Sequence, residues 1–374
     1  MNILVNRSDA IGDTILTLPV AKRLKEEFPD AHLIFLVSSK SREIFEFVPY
    51  VDEVWVMNTE DSKIKRAIQF LKYLRKTKID KYLYVGGSHI PSMILFFYGV
   101  KIRGGLRSRW PSYFFLNRPV RQKRSYVEMH ESDYNLNLLS AFEISYLVNR
   151  REELGPLLNV NLYDSHNATE ELRRDVLENQ LDFRSNFIII HPGMTGHTLN
   201  WPSRNYALLI VKMEKYLPNR YMFVISHTKN DLKHMRGFNE EISKIENLSL
   251  MKRIYYLDGG IKGLANYIRI VKSAKAFIGP STGTTHIANS IGVKQIGLYS
   301  PIIIQSALRW GPYYRNQDNC KVIVPDVVCG EQIKCAGESC RYYKCMEKIE
   351  VDEVAKEVIN LLNDGEKNEY YSRR

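Results

Sequence analysis

The chain has 374 residues, 44% of them hydrophobic and 25% charged, with a formal net charge of +11. That length implies two domains or one large one, and enough apolar residues to bury a real core. The opening MNILVNRSDAIGD has no charged start followed by a long apolar run, so it does not read as a signal peptide. The most apolar patch, 93–100, is too short to span a bilayer, so a soluble, cytoplasmic protein is expected. The basic excess fits nucleic acid, anionic lipid headgroups, a phosphorylated substrate, or no more than a lysine-rich surface.

Residues 2–5 read as a short apolar strand, followed by the loop Arg7-Ser8-Asp9-Ala10-Ile11-Gly12-Asp13. Residues 14–28 are amphipathic, with Ile15, Leu18, Val20, Ala21 and Leu24 on one stripe, and Pro29 ends them. Strands are expected at 32–37, 51–57 and 81–85, the last running into Gly86-Gly87, with helices at 41–47 and 64–76. Residues 101–106 read as the last strand of this half, 130–142 as a helix and 143–162 as a poorly patterned connection. The block 101–124, KIRGGLRSRWPSYFFLNRPVRQKR, contains no acid and sets Trp110, Tyr113, Phe114 and Phe115 among cations. It suits a phosphate-bearing amphiphile at a membrane surface, and single-stranded nucleic acid nearly as well. No nucleic-acid-binding module accompanies it.

A second alternation follows: helix 170–180, strand 187–190, helix 205–216, strand 221–225, helix 231–238, strand 254–257 and helix 264–273. Between its first strand and next helix lies HPGMTGHTLNWP, residues 191–202. Residues 277–301, FIGPSTGTTHIANSIGVKQIGLYSP, read as strand, tight turn, helix, strand. The turn gathers small residues, hydroxyls and free backbone N–H groups at a helix start, which is what a phosphate needs. An ordinary βα turn with a Ser or Thr cap has the same spacing. Strands alternating with helices argue for parallel sheets, whose ligands bind beyond the carboxyl ends of the strands. Cys329, Cys335, Cys340 and Cys345 cluster near the end, while Cys320 stands apart. Their spacings are wider than zinc knuckles, so free thiols are the default and a structural metal the alternative. A final amphipathic helix covers 351–362, and 363–374 is a polar tail expected to be disordered.

Three segments taken together, ILVNRSDAIGDTILTLP, HPGMTGHTLNWPSRNYALL and PSTGTTHIANSIGVKQIGLYSP, resemble glycosyltransferase family 9, the ADP-heptose:lipopolysaccharide heptosyltransferases and their relatives. HESDYNLNLLSAF resembles a further segment of that family, and the likeness spans nearly the whole chain. The resemblance implies an α/β GT-B fold, two Rossmann-like domains facing across a cleft. Residues 1–165 would bind the acceptor and 166–350 the nucleotide sugar. Helix 351–362 would cross back to the first domain. The implied reaction is inverting and metal-independent. It moves a sugar, most of all heptose from ADP-heptose, onto lipopolysaccharide inner core or a related envelope glycan. No cofactor is expected beyond the nucleotide-sugar substrate, and no nucleic-acid partner. The expected partners are a nucleotide sugar and a phosphorylated, lipid-linked acceptor met at the cytoplasmic face of the inner membrane. The alternative is a nucleotide-sugar or glycan-binding protein that has lost catalysis on the same fold.

Sugar transfer needs a base for the acceptor hydroxyl and positive partners for the leaving diphosphate. Asp13 falls at the family's catalytic aspartate; on spacing alone it would be a first-turn acid of the next helix. Asp9 is the second choice. Arg7 would hold a phosphate or a surface acid. Arg7, Asp9, Arg107, Arg109, Arg121 and Lys123 are the acceptor-side candidates. The donor-side candidates are Thr195, His197, Thr198, Ser281, Thr282, Gly283, Thr284, Thr285 and His286, the last either donating to phosphate or bonding inside the core. Gly193 and Gly196 would let backbone approach, Trp201 would be a packing anchor, and Asn230, Asp231 and Asp258 would reach ribose or base. Leu199 stands where many heptosyltransferases carry a Lys, and Ser281 where they often carry an Asp. Glu131-Ser132-Asp133 has metal-ligand spacing but lies in a helical pattern, as a solvated face, so no divalent metal is expected.

Overall fold

The structure, a computed structural model, describes residues 1–145, 156–194, 198–313, 319–329 and 334–372, the last nine by backbone alone. The chain divides into two compact units, Met1–Asn159 and Val160–Arg374, against the expected division at 165/166.

In the first unit the strands are β1 Asn2–Arg7, β2 His32–Ser38, β3 Glu53–Met57, β4 Lys81–Gly86, β5 Ile102–Leu106 and β6 Arg118–Val120. The helices are α1 Ile11–Ile15, α2 Leu18–Glu27, α3 Lys63–Leu74, α4 Ile90–Phe97, α5 Trp110–Phe115 and α6 Glu131–Asn137. All six strands are parallel, in the order β3-β2-β1-β4-β5-β6. Central strands are apolar on both faces because helices cover both; Ile3, Leu4 and Val5 have no exposed surface.

Several expectations change here. The single helix over 14–28 is two, because Pro19 in the first turn of α2 has no N–H to continue α1. Residues 101–106 are not the last strand, since β6 pairs with β5 beyond them. α4 was hidden because its sequence, IPSMILFF, is apolar on every side and shows no period. Residues 130–142 form α6 and then a 3₁₀ turn, Leu138–Phe142.

The second unit repeats the plan. Its strands are β7 Phe187–Ile190, β8 Met222–His227, β9 Ile254–Asp258, β10 Ala276–Pro280, β11 Gln295–Leu298 and β12 Cys320–Ile323. Its helices are α7 Leu162–Glu178, α8 Ser203–Tyr216, α9 Arg236–Ile242, α10 Leu248–Met251, α11 Gly263–Ser273, α12 Gly283–Ile291, α13 Ala307–Trp310 and α14 Val351–Ser372. The sheet is again all parallel, in the order β12-β11-β10-β7-β8-β9. α7 starts eight residues before the expected helix, where the Asn161 side chain accepts from the Tyr163 N–H at 2.8 Å. α14 runs on through most of the tail expected to be disordered. Val354, Ala355, Val358 and Leu361 join the apolar core under α8, and the Lys294 ammonium donates to the Leu361 carbonyl at 2.7 Å. Residues 351–362 therefore pack on the second unit.

In each sheet the chain reverses its direction of winding between two neighbouring strands, β1 and β4 in the first and β7 and β10 in the second. Open parallel sheets bind ligands in the crevice beyond the carboxyl ends at such a reversal. All three motif loops leave from these positions.

Candidate active-site loops

At the end of β1, Arg7 is buried although charged. Its Nε lies 3.0 Å from an Asp9 carboxylate oxygen, its guanidinium pairs closely with Asp13, and Glu131 stands 3.9 Å away. One guanidinium N–H also donates to the Val85 carbonyl at 3.2 Å. Gly86, ending β4, makes the room: a Cβ there would stand 2.8 Å from an Arg7 nitrogen. Burial opposes the Arg7 charge, but Asp13, Asp9 and Glu131 more than offset it and raise its pKa further. Burial pushes the Asp9 carboxyl up to about 6, against the pull of Arg7, with Asp13 adding to the rise.

Asp13 sits in the first turn of α1, and its side chain is 23% exposed. Its backbone is fixed by the Thr17 hydroxyl, which donates to the Asp13 carbonyl at 2.8 Å. The Asn135 amide of α6 donates to the Leu16 carbonyl at 3.0 Å, tying that helix to the same corner. Arg7 is engaged with three carboxylates rather than facing outward as a phosphate ligand, so it positions Asp13.

The expected solvated face at 131–133 is corrected. Glu131, Ser132 and Asp133 are all buried, and Glu131 is ion-paired with both Arg124 and Arg7. A helical charge pattern reads as solvent-facing; the partners that bury this one lie 7 and 124 residues away in sequence. Glu131 is thus a part of the site that sequence reasoning missed. Arg109, Arg121 and Lys123 are exposed and Arg107 is half-buried. Arg107 lies over the Tyr113 ring at 4.0 Å. These four are not part of the Arg7 cluster.

In the second unit, β10 ends at Pro280, and Ser281, Thr282, Gly283 and Thr284 follow half-exposed. Thr282 is the N-cap of α12, yet its side chain makes no cap bond. Its hydroxyl lies 2.8 Å from that of Thr284 instead. An N-cap hydroxyl normally takes up one of the first amides; that of Thr282 does not. Thr285 is turned inward, donating to the Pro280 carbonyl, which corrects its place among side chains offered to a ligand. His286 is buried.

The neighbouring loop after β7 begins with His191, whose Nδ1 lies 3.0 Å from both the carbonyl and the hydroxyl of Ser226. Burial lowers its pKa and keeps it neutral. Thr195, Gly196 and His197 lie outside the described residues. Thr198 donates to the Met194 sulfur at 2.8 Å. Leu199 packs against the apolar core. Trp201 is a packing anchor as expected, 1% exposed, with its indole N–H donating to the Ile349 carbonyl at 2.9 Å.

Asp231 is buried, with one carboxylate oxygen engaged in its own turn. It accepts from the Thr228 N–H and hydroxyl at 2.8 and 2.6 Å and fills the space that a Cβ at Gly193 would need. Asp258 lines a cavity of about 150 Å³ with His227, Tyr256, Lys262, Asn266 and Tyr267, at the carboxyl ends of β8 and β9. The four clustered cysteines line one apolar pocket. Among the described residues no group of three or more His, Cys, Asp or Glu is arranged to hold a metal ion.

Residues 67–337 match the family described as glycosyltransferase family 9 (heptosyltransferase). The lipopolysaccharide heptosyltransferase 1 of Campylobacter coli is 23% identical, over 97% of this chain and 100% of its own. Among solved structures, the Escherichia coli ADP-heptose lps heptosyltransferase II superposes with a TM-score of 0.76 at 20% identity, covering 98% of this chain and 100% of that one. A family 9 glycosyltransferase of Veillonella parvula gives 0.75 at 18% identity, covering 97% of both chains. These likenesses establish the GT-B fold, with its two Rossmann-like units. The stretch matched by the family begins after the Arg7–Asp13 loop, while the structural likenesses run over nearly the whole chain.

Proposed function

The chain belongs to glycosyltransferase family 9, the heptosyltransferases, and from that premise we propose that it transfers heptose from ADP-heptose, with inversion and without a metal, to a lipid-linked envelope glycan. Asp13 takes the proton of the acceptor hydroxyl as that oxygen attacks the anomeric carbon. The leaving diphosphate is met by the first amides of α12 and by the hydroxyls of Ser281, Thr282 and Thr284. Asp258 and the cavity beside it receive the nucleoside. Arg107, Arg109, Arg121 and Lys123 meet phosphate groups on the acceptor, which is reached at the cytoplasmic face of the inner membrane.

The observation that carries this reading is the Arg7–Asp13 pair at the reversal of the first sheet. A general base must be held in one orientation to act. A buried cation bonded to one carboxylate oxygen holds it, while the side chain keeps part of its surface exposed. The cofactor requirement reduces to the nucleotide sugar itself.

Calorimetry with ADP, GDP and UDP and their sugars tests the donor assignment. ADP and ADP-heptose should bind more tightly than the others. Preference for a uridine or guanosine donor would overturn the donor while leaving the family unchanged.

A further inference from the structure

The first unit carries a surface that the transfer chemistry does not use. α4 packs against α3 on one side and α5 on the other. It buries Ile94 and Leu95 and turns Phe97 outward, 75% exposed. α3 presents Ile64 at 74%, and α5 presents Trp110 at 69% and Phe114 at 68%. Rings meet within and between α4 and α5: Phe96 meets Phe97 at 5.3 Å and Phe115 at 5.7 Å, and Trp110 meets Phe114 at 5.9 Å. Apolar patches of this kind on a soluble surface mark a partner.

Charge identifies the partner. Residues 63–127 contain sixteen Lys and Arg and one acid, Asp80, whereas the rest of the chain has 37 Lys and Arg against 41 acids. The whole positive excess of the protein is therefore confined to the stretch that carries this face. Lys63 and Lys65 flank Ile64 in the open, and Arg109 precedes Trp110. Two copies of such a face would repel each other. Single-stranded nucleic acid is held in grooves with stacking platforms, while these rings project from the outside of helices. Exposed aromatics ringed by cations match the headgroup layer of an anionic membrane. Among the described residues no helix is long and apolar enough to cross a bilayer, so contact would be from one side.

We propose that the outer face of α3, α4 and α5 docks on an anionic lipid bilayer, with Phe97, Trp110 and Phe114 entering the headgroup layer and the lysines of α3 against its phosphates. This deepens the transferase reading by naming the surface that meets the membrane, and vesicles without any glycan acceptor test it separately from that reading.

The full chain is sedimented with vesicles of phosphatidylcholine alone and of phosphatidylcholine mixed with phosphatidylglycerol. Binding is expected to the mixed vesicles, to weaken with salt, and to shift Trp110 emission to the blue; the shift should vanish in Trp110→Phe. Phe97→Ser with Phe114→Ser should cut binding at least about tenfold, and Lys63→Gln with Lys65→Gln should lower both binding and its salt dependence. All four residues are exposed, and circular dichroism checks the fold of each variant. Equal binding to neutral vesicles, unchanged binding by both double variants, binding to oligonucleotides alone, or a dimer that shields Trp110 and leaves vesicles unbound would each overturn the proposal.

Discussion

Arg7 and Asp13, six residues apart, are ion-paired at the carboxyl end of β1, with the guanidinium lying against Gly86 at the end of β4. Arg7 itself joins the two strands between which the first sheet reverses, donating from β1 to the Val85 carbonyl of β4 at 3.2 Å. A Lys at position 7 would keep the charge but lose the fork that reaches Asp13, Asp9 and Glu131 together. Arg7→Lys should lower kcat by about 100-fold through misplacement of the base. Nucleotide affinity should stay within about twofold, because the nucleotide contacts assigned here lie on other strands. Steady-state kinetics beside calorimetry separate the two quantities.

Asp9 gives the site a pH dependence. Its carboxyl is pushed up to about 6 from 3.8. The folded protein therefore binds this proton more tightly than the unfolded chain does. The resulting stabilisation is full below about pH 4 and is lost as pH rises through 6. Protonation of Asp9 also removes one of the three carboxylates competing for Arg7, which strengthens its hold on Asp13 and weakens the base. Activity should fall on the acid side with an apparent pKa near 6. Asp9→Asn should flatten that limb; a limb that persists unchanged would assign it to another group.

The donor loop makes a separate prediction. Hydrogen bonds to charged groups are worth about 1.5–3 kcal/mol. Thr284→Val removes one hydroxyl from the turn proposed to meet the diphosphate, at a half-exposed position. Nucleotide affinity should drop by roughly tenfold or more, with the KM for acceptor unchanged. Titration calorimetry with ADP reads the first quantity directly.

A buried pair in the second unit governs stability rather than catalysis. Arg253 is fully buried and donates to Glu214 at 2.6 Å and to the Tyr221 carbonyl at 2.7 Å. Arg253→Met leaves the Glu214 carboxylate without its partner, which should cost about 3–5 kcal/mol. Replacing both residues with apolar ones of similar volume should recover most of the loss. Urea denaturation of the two variants beside the unaltered protein measures both effects.

Much of this was legible from residue order alone. The turn after Pro280 and the loop after Arg7 declared themselves because small residues, hydroxyls and an acid sit between an apolar run and a helical period. The repeated alternation announced two parallel sheets. What stayed hidden depended on contacts between distant positions. Glu131 looked like a solvated charge because nothing near it shows that Arg7 and Arg124 enclose it. α4 looked featureless because a helix exposed among aromatics has no polar face to mark its period. Asp231 looked open at a strand end, but it is buried against Gly193 with one carboxylate oxygen held by its own turn. The placement of α14 on α8 rests on Val354, Ala355 and Val358; their stripe shows that the helix is amphipathic, not which unit receives it.

The role of Asp13 is tested most directly by Asp13→Asn, assayed for nucleotide release from ADP-heptose in the presence of core glycan, with ADP binding measured on the same sample. Asn keeps the size of the side chain but cannot take up the proton. Turnover should fall by at least about 1000-fold, while the dissociation constant for ADP stays within a factor of about two. Turnover near that of the unaltered protein would contradict the assignment of this carboxylate as the base.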